Sequence, residues 1–287
     1  MAKQQAQYRR YTRTRFGNVI YFSFLVLAGL FTVVPLFYCI ITSFKPLDEL
    51  LVFPPRFFVV RPTFDNYRIL PSLLGKLRVP ISRYIFNSIF VAVISTFLHI
   101  VVASLAAFAL SKSKVKGRNA IFWIIQLTLL FNSYTLGVPQ YLIFSRLKMI
   151  DTYWVYILPS IPSAMGCFLM KQFMDTGIPG PLLEAARIDG ANVYTMYWRI
   201  VMPMVKPAWM TLMLFSFQSM WTIVPSGTIF SEKLKTLPQA VSSIAAGGIA
   251  RSGSVMAVTV LLMIPPILVF LISQSNVMET MSNSGIK

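Results

Sequence analysis

Six apolar stretches separated by shorter polar intervals set the plan of this chain, with approximate limits 19–42, 84–110, 120–143, 153–174, 203–227 and 255–275. Each offers about 20 mostly apolar residues, the length a helix needs to cross a hydrocarbon layer about 30 Å thick. Backbone polar groups in lipid must pair within their own segment, so helices are the economical reading. A barrel would need many alternating segments of about ten residues, and the pattern has none. The expected fold class is an all-α integral membrane protein with six transmembrane helices. It divides into a basic N-terminal tail over 1–18, a six-span domain over 19–275 and a polar, mobile C-terminal tail over 276–287.

Breaks and flanks refine that plan. Gly137 and Pro139 interrupt the third stretch, Pro159, Pro162 and Gly166 the fourth, Pro225 and Gly227 the end of the fifth, and Pro265 and Pro266 the sixth. Proline removes a backbone donor and kinks a helix, so these positions predict bends, serving either packing or a gate. Orientation is read from basic residues at short flanks. Five lie in the N-terminal tail (Lys3, Arg9, Arg10, Arg13, Arg15) and four in 111–119 (Lys112, Lys114, Lys116, Arg118), against Arg146 and Lys148 in 144–152. With alternating spans, both termini, the 111–119 interval and the interval after the fourth span are expected in the cytoplasm. The outward segment 43–83 also carries seven basic residues against three acidic ones, so the short flanks decide, not total charge. Its prolines predict an extended external layer with a short helix around Asp65–Leu70. The apolar run from Val19 to about Thr42 far exceeds the ~7–15 residues of a signal peptide, so a retained first span is expected.

Composition sharpens the class. Of 287 residues, 56% are hydrophobic and 12% charged, about half the charged share of a soluble domain. The formal charge of +17 would suggest a nucleic-acid partner in a soluble protein. Here the basic residues cluster beside apolar spans, where anionic lipid headgroups account for them, and no nucleic acid is expected. Cys39 and Cys167 fall in apolar stretches and read as small buried hydrophobes. With His99 the single histidine, no zinc site is expected. That histidine reads as hydrogen-bonded to a neighbouring helix. Asp and Glu are absent from all six stretches. Ion-coupled carriers generally keep ionisable groups at mid-membrane, so a power stroke supplied by another protein is favoured. No Gly-x-x-x-x-Gly-Lys-Ser/Thr loop is present to cradle nucleotide phosphates, and no constellation suits covalent catalysis.

The longest polar interruption of the C-terminal half runs from Pro179 to Pro207 and predicts two short helices around a tight turn. Pro181 suits a first helical turn. Gly190 falls where a left-handed C-cap is wanted, and Asn192 can cap the second helix. Two helical turns bearing one carboxylate, two alanines and a leucine pair cannot form a core of their own. They read as a knob for another protein's groove, or as a helical hairpin lying on the membrane.

Glu184-Ala185-Ala186-x-x-x-Gly190, followed by Ile200 and Pro203, is similar to the EAA loop of ABC importer permeases. Four further matches keep the order of the carbohydrate, MalG-like branch: Ser43-Phe44-Lys45 after the first span, Pro62-Thr63-x-x-Asn66-Tyr67, Tyr84-Ile85-Phe86-Asn87-Ser88, and Ala106-Ala107-Phe108-Ala109-Leu110 before Gly117-Arg118. The resemblance implies a type I importer, MetI-like permease fold in a bacterial cytoplasmic membrane. It also implies a second homologous permease, two ATPase subunits carrying ATP-Mg, an extracytoplasmic sugar-binding protein and no cofactor on this chain. Within the coupling loop, 179–202, the implied ATPase-facing residues are Leu182, Leu183, Glu184, Ala185, Ala186, Asp189, Gly190 and Ala191. Glu184 would offer a charge-assisted bond, and the two leucines and two alanines a packed surface.

Asn132, Ser133, Tyr134, Gln140, Gln218, Ser219, Trp221 and Thr222 lie near kinks of the third and fifth spans. They are candidates for a sugar pathway or for inter-helix hydrogen bonds. The resemblance implies a carbohydrate substrate, with an oligosaccharide, including an acidic one, among the options. Arg61, Arg68, Lys76, Arg78 and Arg83 would suit an anionic sugar or simply face solvent and lipid. A permease for a non-sugar solute and an ion-driven carrier are the alternatives.

Overall fold

The computed structural model describes residues 15–75, 79–113, 116–131, 133–225 and 227–284, excepting the side chains of 15, 74, 75, 133, 134 and 275–284. Among these residues the chain is helical and holds no strand. The principal helices are α1 (Arg15–Ser43), α2 (Ile81–Lys112), α3 (Arg118–Thr128), α4 (Gly137–Arg146) and α5 (Trp154–Ser160). They continue as α6 (Ala164–Gly177), α7 (Gly180–Ile188), α8 (Lys206–Trp221), α9 (Leu237–Ala245) and α10 (Ser252–Ser284). A central trio, α2, α6 and α8, packs together, and α10 lies along α8. Helix α1 leans on α10 with its apolar stretch wholly unburied.

Among the described residues three helices are long and apolar enough to cross a membrane singly: Phe16–Ser43, Ile81–Lys112 and Ile249–Gln274. A bent pair, Val193–Met204 with Lys206–Trp221, meets the same length and hydropathy condition only when its two parts, set at 80°, are taken together. The third and fourth expected spans are each split. The third breaks over 129–136, ahead of Gly137 and Pro139, which open α4 instead. The fourth breaks at 161–163 around Pro162, with Pro159 inside α5 and Gly166 inside α6. Pro265 and Pro266 do not interrupt α10 at all, and 276–284, expected as a tail, continue that helix. Pro266 has no N–H for the carbonyl of Leu262 four residues earlier. The Trp221 indole N–H donates to that carbonyl instead, at 2.8 Å. A buried carbonyl left without a donor would cost about 1–3 kcal/mol, so this bond offsets the donor lost at Pro266.

The segment after α1 is stitched rather than loose. Short helices span Leu47–Leu50, Asp65–Arg68 and Leu70–Gly75. Asn66 Nδ2 donates to the carbonyls of Ser43 (2.9 Å) and Lys45 (2.7 Å), Thr63 N to Phe44 O (2.9 Å), and the Tyr67 and Ser43 hydroxyls meet at 2.8 Å. The Ser-Phe-Lys and Pro-Thr-x-x-Asn-Tyr motifs are thus two halves of one joint. The Asn87-Ser88 pair does the same for the loop after α8. Buried Asn87 donates to Lys233 O (2.9 Å) and Lys235 O (2.8 Å), and Ser88 Oγ accepts from Leu237 N (2.8 Å).

Asp151 closes this end of the molecule. It sits in the left-handed region at φ 60°. Its carboxylate accepts from Phe230 N (3.0 Å), Ser231 N (2.8 Å) and the Ser231 hydroxyl. Burial alone would raise its pKa; these three donors outweigh that and hold it below the ordinary carboxylate value. A lowered native pKa stabilises the fold above the unfolded carboxyl pKa, about 4, and the contribution is lost as pH falls through the native value. Asp151→Asn, which tolerates the same backbone, is therefore expected to melt below the unaltered protein at neutral pH. The gap should close in strongly acidic buffer; a pH-independent gap in thermal midpoints would contradict the clamp.

Candidate functional site

The polar interval after α6 builds a compact hairpin. Pro179 is extended (φ −64°, ψ 138°) and Pro181 lies in the first turn of α7, where its missing N–H leaves no carbonyl unsatisfied. The helix ends in a Schellman motif: Ala191 N donates to Ala186 O (2.9 Å) and Gly190 N to Arg187 O (3.0 Å). Gly190 sits at φ +80°, and a Cβ there would meet nothing within 4 Å. Its requirement is therefore backbone conformation, not space. Gly190→Val is expected to lower the melting temperature by an amount matching about 1–2 kcal/mol, the cost of left-handed backbone for an L-residue. Gly190→Asn should lose much less, and equal losses would point to crowding instead. Asn192 Oδ1 then accepts from Thr195 N at 2.7 Å and starts Val193–Thr195, which winds as a π-helix over Met196–Val201.

The hairpin is joined to the transmembrane body along one face. Leu183 and Ala186, three residues apart, are buried in a cluster with Met170 and Met174 of α6, Ala103 and Ala107 of α2, and Ala208 and Leu212 of α8. Lys112 Nζ donates to Ile178 O at 2.8 Å, and the Ser104 and Tyr197 hydroxyls meet at 2.5 Å. This end carries the C-terminus of α2; the opposite end carries the 43–75, 147–153 and 227–251 segments, the last two joined to the start of α2 through Asn87.

The expected eight-residue surface divides accordingly. Leu183 and Ala186 face inward, so they are not available to a partner: helical spacing commits positions 183 and 186 to the same side as the methionines of α6. Leu182, Glu184, Ala185, Asp189 and Gly190 are exposed, and Ala191 is half-buried. Glu184 and Asp189 make no side-chain ion pair among the described residues. The outward face is completed by three residues the sequence reading missed: Ile188, 87% exposed, Tyr194, 77% exposed, and Val193. Leu182, Ala185 and Ile188 form an i, i+3, i+6 stripe that the spacing could have revealed.

The polar pathway candidates are not gathered in one place. Asn132 lies outside the described residues, as do the side chains of Ser133 and Tyr134; the backbone of 133–136 is a 3₁₀ turn. Gln140 is half-buried on α4. Gln218 is exposed beside Phe217, Pro266 and Phe270 in a cleft of about 220 Å³. Trp221 must be corrected: it is 2% exposed, stacks on Phe217 at 5.8 Å and spends its indole N–H on Leu262, so it belongs to the framework. Ser219 and Thr222 are exposed, the Thr222 hydroxyl donating to the Gln218 carbonyl at 3.1 Å. His99 Nδ1 bonds the Ser160 carbonyl at 2.8 Å, an acceptor freed by the break between α5 and α6. That is the inter-helix bond expected of it.

Residues 99–282, from mid-α2 through the hairpin into the last helix, match the family described as the binding-protein-dependent transport system inner membrane component. The chain belongs to this family. Among relatives of this permease, the polygalacturonan/rhamnogalacturonan transport system permease protein YtcP of Bacillus subtilis is 30% identical over 220 residues, 76% of this chain and 73% of the relative. The arabinooligosaccharides transport system permease protein AraQ of the same organism is 28% identical over 95% of this chain and 96% of its own. The sn-glycerol-3-phosphate transport system permease protein UgpE of Yersinia enterocolitica is 33% identical over 70% and 73%. In fold, the permease superposes with a TM-score of 0.73 on a chain of a bacterial ABC transporter involved in import of the acidic polysaccharide alginate. That match is 24% identical and covers 92% of this chain and 98% of the other.

Proposed function

We propose that this permease forms half of the membrane channel of an ABC importer for an oligosaccharide, driven by ATPase subunits docked on the α7 hairpin. One observation carries the reading: α7 has two apolar faces, and only one is covered. Leu183 and Ala186 are bound into the core shared by α2, α6 and α8, while Leu182, Ala185 and Ile188 point away from it. A partner holding the outward stripe can therefore move the membrane helices through close-packed contacts, which transmit displacement instead of absorbing it.

Six crossings are counted in this reading: α1, α2, the pair α3–α4, the pair α5–α6, α8 and α10. The hairpin and both termini lie in the cytoplasm, and the Asp151 end faces outward. ATP-Mg is hydrolysed on the partners. Alternating access follows, with ATPase closure dragging α7 and opening the outward end, and hydrolysis resetting it. A second permease and an extracytoplasmic binding protein complete the assembly. The names of the relatives support a carbohydrate, and pectic and alginate polymers among them support an acidic one. Arg61 pairs with Asp48, and Arg83 bonds Lys233 O and Tyr153, so those two are engaged structurally. Lys76 and Arg78 lie outside the described residues. UgpE, named for a phosphate ester, motivates a second reading, a non-sugar anion.

Reconstitution with the co-purifying subunits and binding protein tests both. Uptake should follow ATP and survive a protonophore, and a ligand panel should show ATPase stimulation by oligosaccharides. Stimulation by sn-glycerol-3-phosphate alone would favour the second reading. Uptake that collapses with the proton gradient and ignores ATPase loss would overturn the proposal.

A further inference from the structure

The layer between α1 and α2 carries an apolar surface that neither the hairpin nor the helix core uses. Residues 51–60, Leu-Val-Phe-Pro-Pro-Arg-Phe-Phe-Val-Val, have no regular structure. Phe53 is 92% exposed and Phe58 71%, with Val60 exposed beside them. In water such a patch would be costly, since each large apolar side chain gains about 1.5–3 kcal/mol from leaving it.

We infer that residues 51–60 form an interfacial anchor, dipping Phe53, Phe57 and Phe58 into the outer leaflet of the lipid bilayer beside α1. The inference rests on the orientation proposed above for its choice of leaflet, and on geometry for the rest. The loop does not project away from the membrane helix; it folds back along it. The Phe57 ring packs on Tyr38 at 5.6 Å between centroids, and Tyr38 lies five residues before the end of α1, about 7–8 Å down its axis. The patch thus meets α1 at Tyr38, next to the exposed Phe37 of its unburied apolar stretch. The fold-back is held from inside. Lys45, buried, donates its ammonium N–H to the carbonyl of Arg56 and lies over the Tyr38 ring at 5.4 Å. Glu49 accepts from the backbone N–H groups of Val60 (3.1 Å) and Arg61 (2.8 Å).

The chemistry of the stretch suits a lipid interface. Pro54 and Pro55 have no N–H, which removes two donors that would be costly to bury without a partner. Phenylalanine is among the side chains that interfacial segments bury at the boundary of headgroups and acyl chains. Arg56, exposed between the phenylalanines, can hold its charge at the phosphate level with its stem along the apolar layer. A protein partner would need a concave apolar surface to receive side chains exposed this fully; the bilayer needs none.

Photo-crosslinking in the assembled transporter, reconstituted in phosphatidylethanolamine and phosphatidylglycerol, tests this with the cysteines untouched. Phe58→p-benzoylphenylalanine is expected to yield severalfold more phospholipid adduct by mass than Arg68→p-benzoylphenylalanine, placed on the exposed face of the neighbouring helix. Adduct to another subunit, or lipid adduct no greater than at Arg68, would overturn the anchor. Arg68→Cys should react with a membrane-impermeant maleimide added outside. Lipid adduct at Phe58 with labelling only from the cytoplasmic side would uphold the anchor and overturn the orientation, so the two readings fail separately.

Discussion

Ile188→Asp is expected to strip the ATPase subunits from the membrane complex while leaving the permease itself inserted and stable. Ile188 is 87% exposed and contributes nothing to the chain's own core, so the substitution has no folding contact to break. At the centre of a partner's groove the same change removes an apolar anchor and buries a charge. Losses of about 2–4 kcal/mol at such anchors correspond to roughly 30- to 1,000-fold weaker binding. ATPase should no longer co-purify in mild detergent, and uptake should fall to background. Leu183→Asp supplies the contrast. Leu183 lies in the cluster of Met170, Met174 and Leu212, and an uncompensated charge there should remove the folded permease altogether. Stoichiometric ATPase retained by Ile188→Asp, or equal loss of permease in both variants, would contradict the division of α7 into an outward and an inward face.

Gly166→Val is expected to unseat the central helix trio. A Cβ at Gly166 would stand 2.9 Å from His99 Nε2, 3.2 Å from Leu212 Cδ1 and 3.3 Å from Ala103 Cβ. Those neighbours belong to α2 and α8, so one added side chain pushes α6 away from both. His99 cannot swing aside freely, because its other ring nitrogen holds the Ser160 carbonyl. Overpacking of this kind costs about 1–3 kcal/mol or more, and the thermal midpoint should drop by several degrees. Adding His99→Ala makes room where the clash is worst. The double variant should therefore lose clearly less than the two single losses combined, since contacting residues are non-additive. Simple additivity would show that the close approach between α2 and α6 is not what limits this site.

Both predictions depend on contacts, and the chain's pattern announced only some of them. Pro179, Pro181, Gly190 and Asn192 have local meanings that a sequence discloses: a fixed φ, a left-handed turn, a side chain that accepts from its own helix. The hairpin was legible for that reason. Which side of it faces inward was not, because Leu182-Leu183 and Ala185-Ala186 place apolar residues on both faces. Trp221 misled for a related cause. An indole near a kink is equally suited to a sugar ring and to a carbonyl stranded by proline, and the stranded carbonyl belongs to α10, 41 residues away.

Sequence alone determined the membrane class, the approximate limits of the apolar segments, the hairpin and the family, because hydrophobic length, proline and glycine act over a few residues. Tertiary structure decided which segments run unbroken, which face of α7 is free, and that Asn66, Asn87 and Asp151 fasten the end opposite the hairpin. Each of those outcomes turns on where a donor or an apolar side chain from a distant segment arrives. A backbone carbonyl freed by proline, or a leucine at the edge of a helix, is satisfied only by what packs against it.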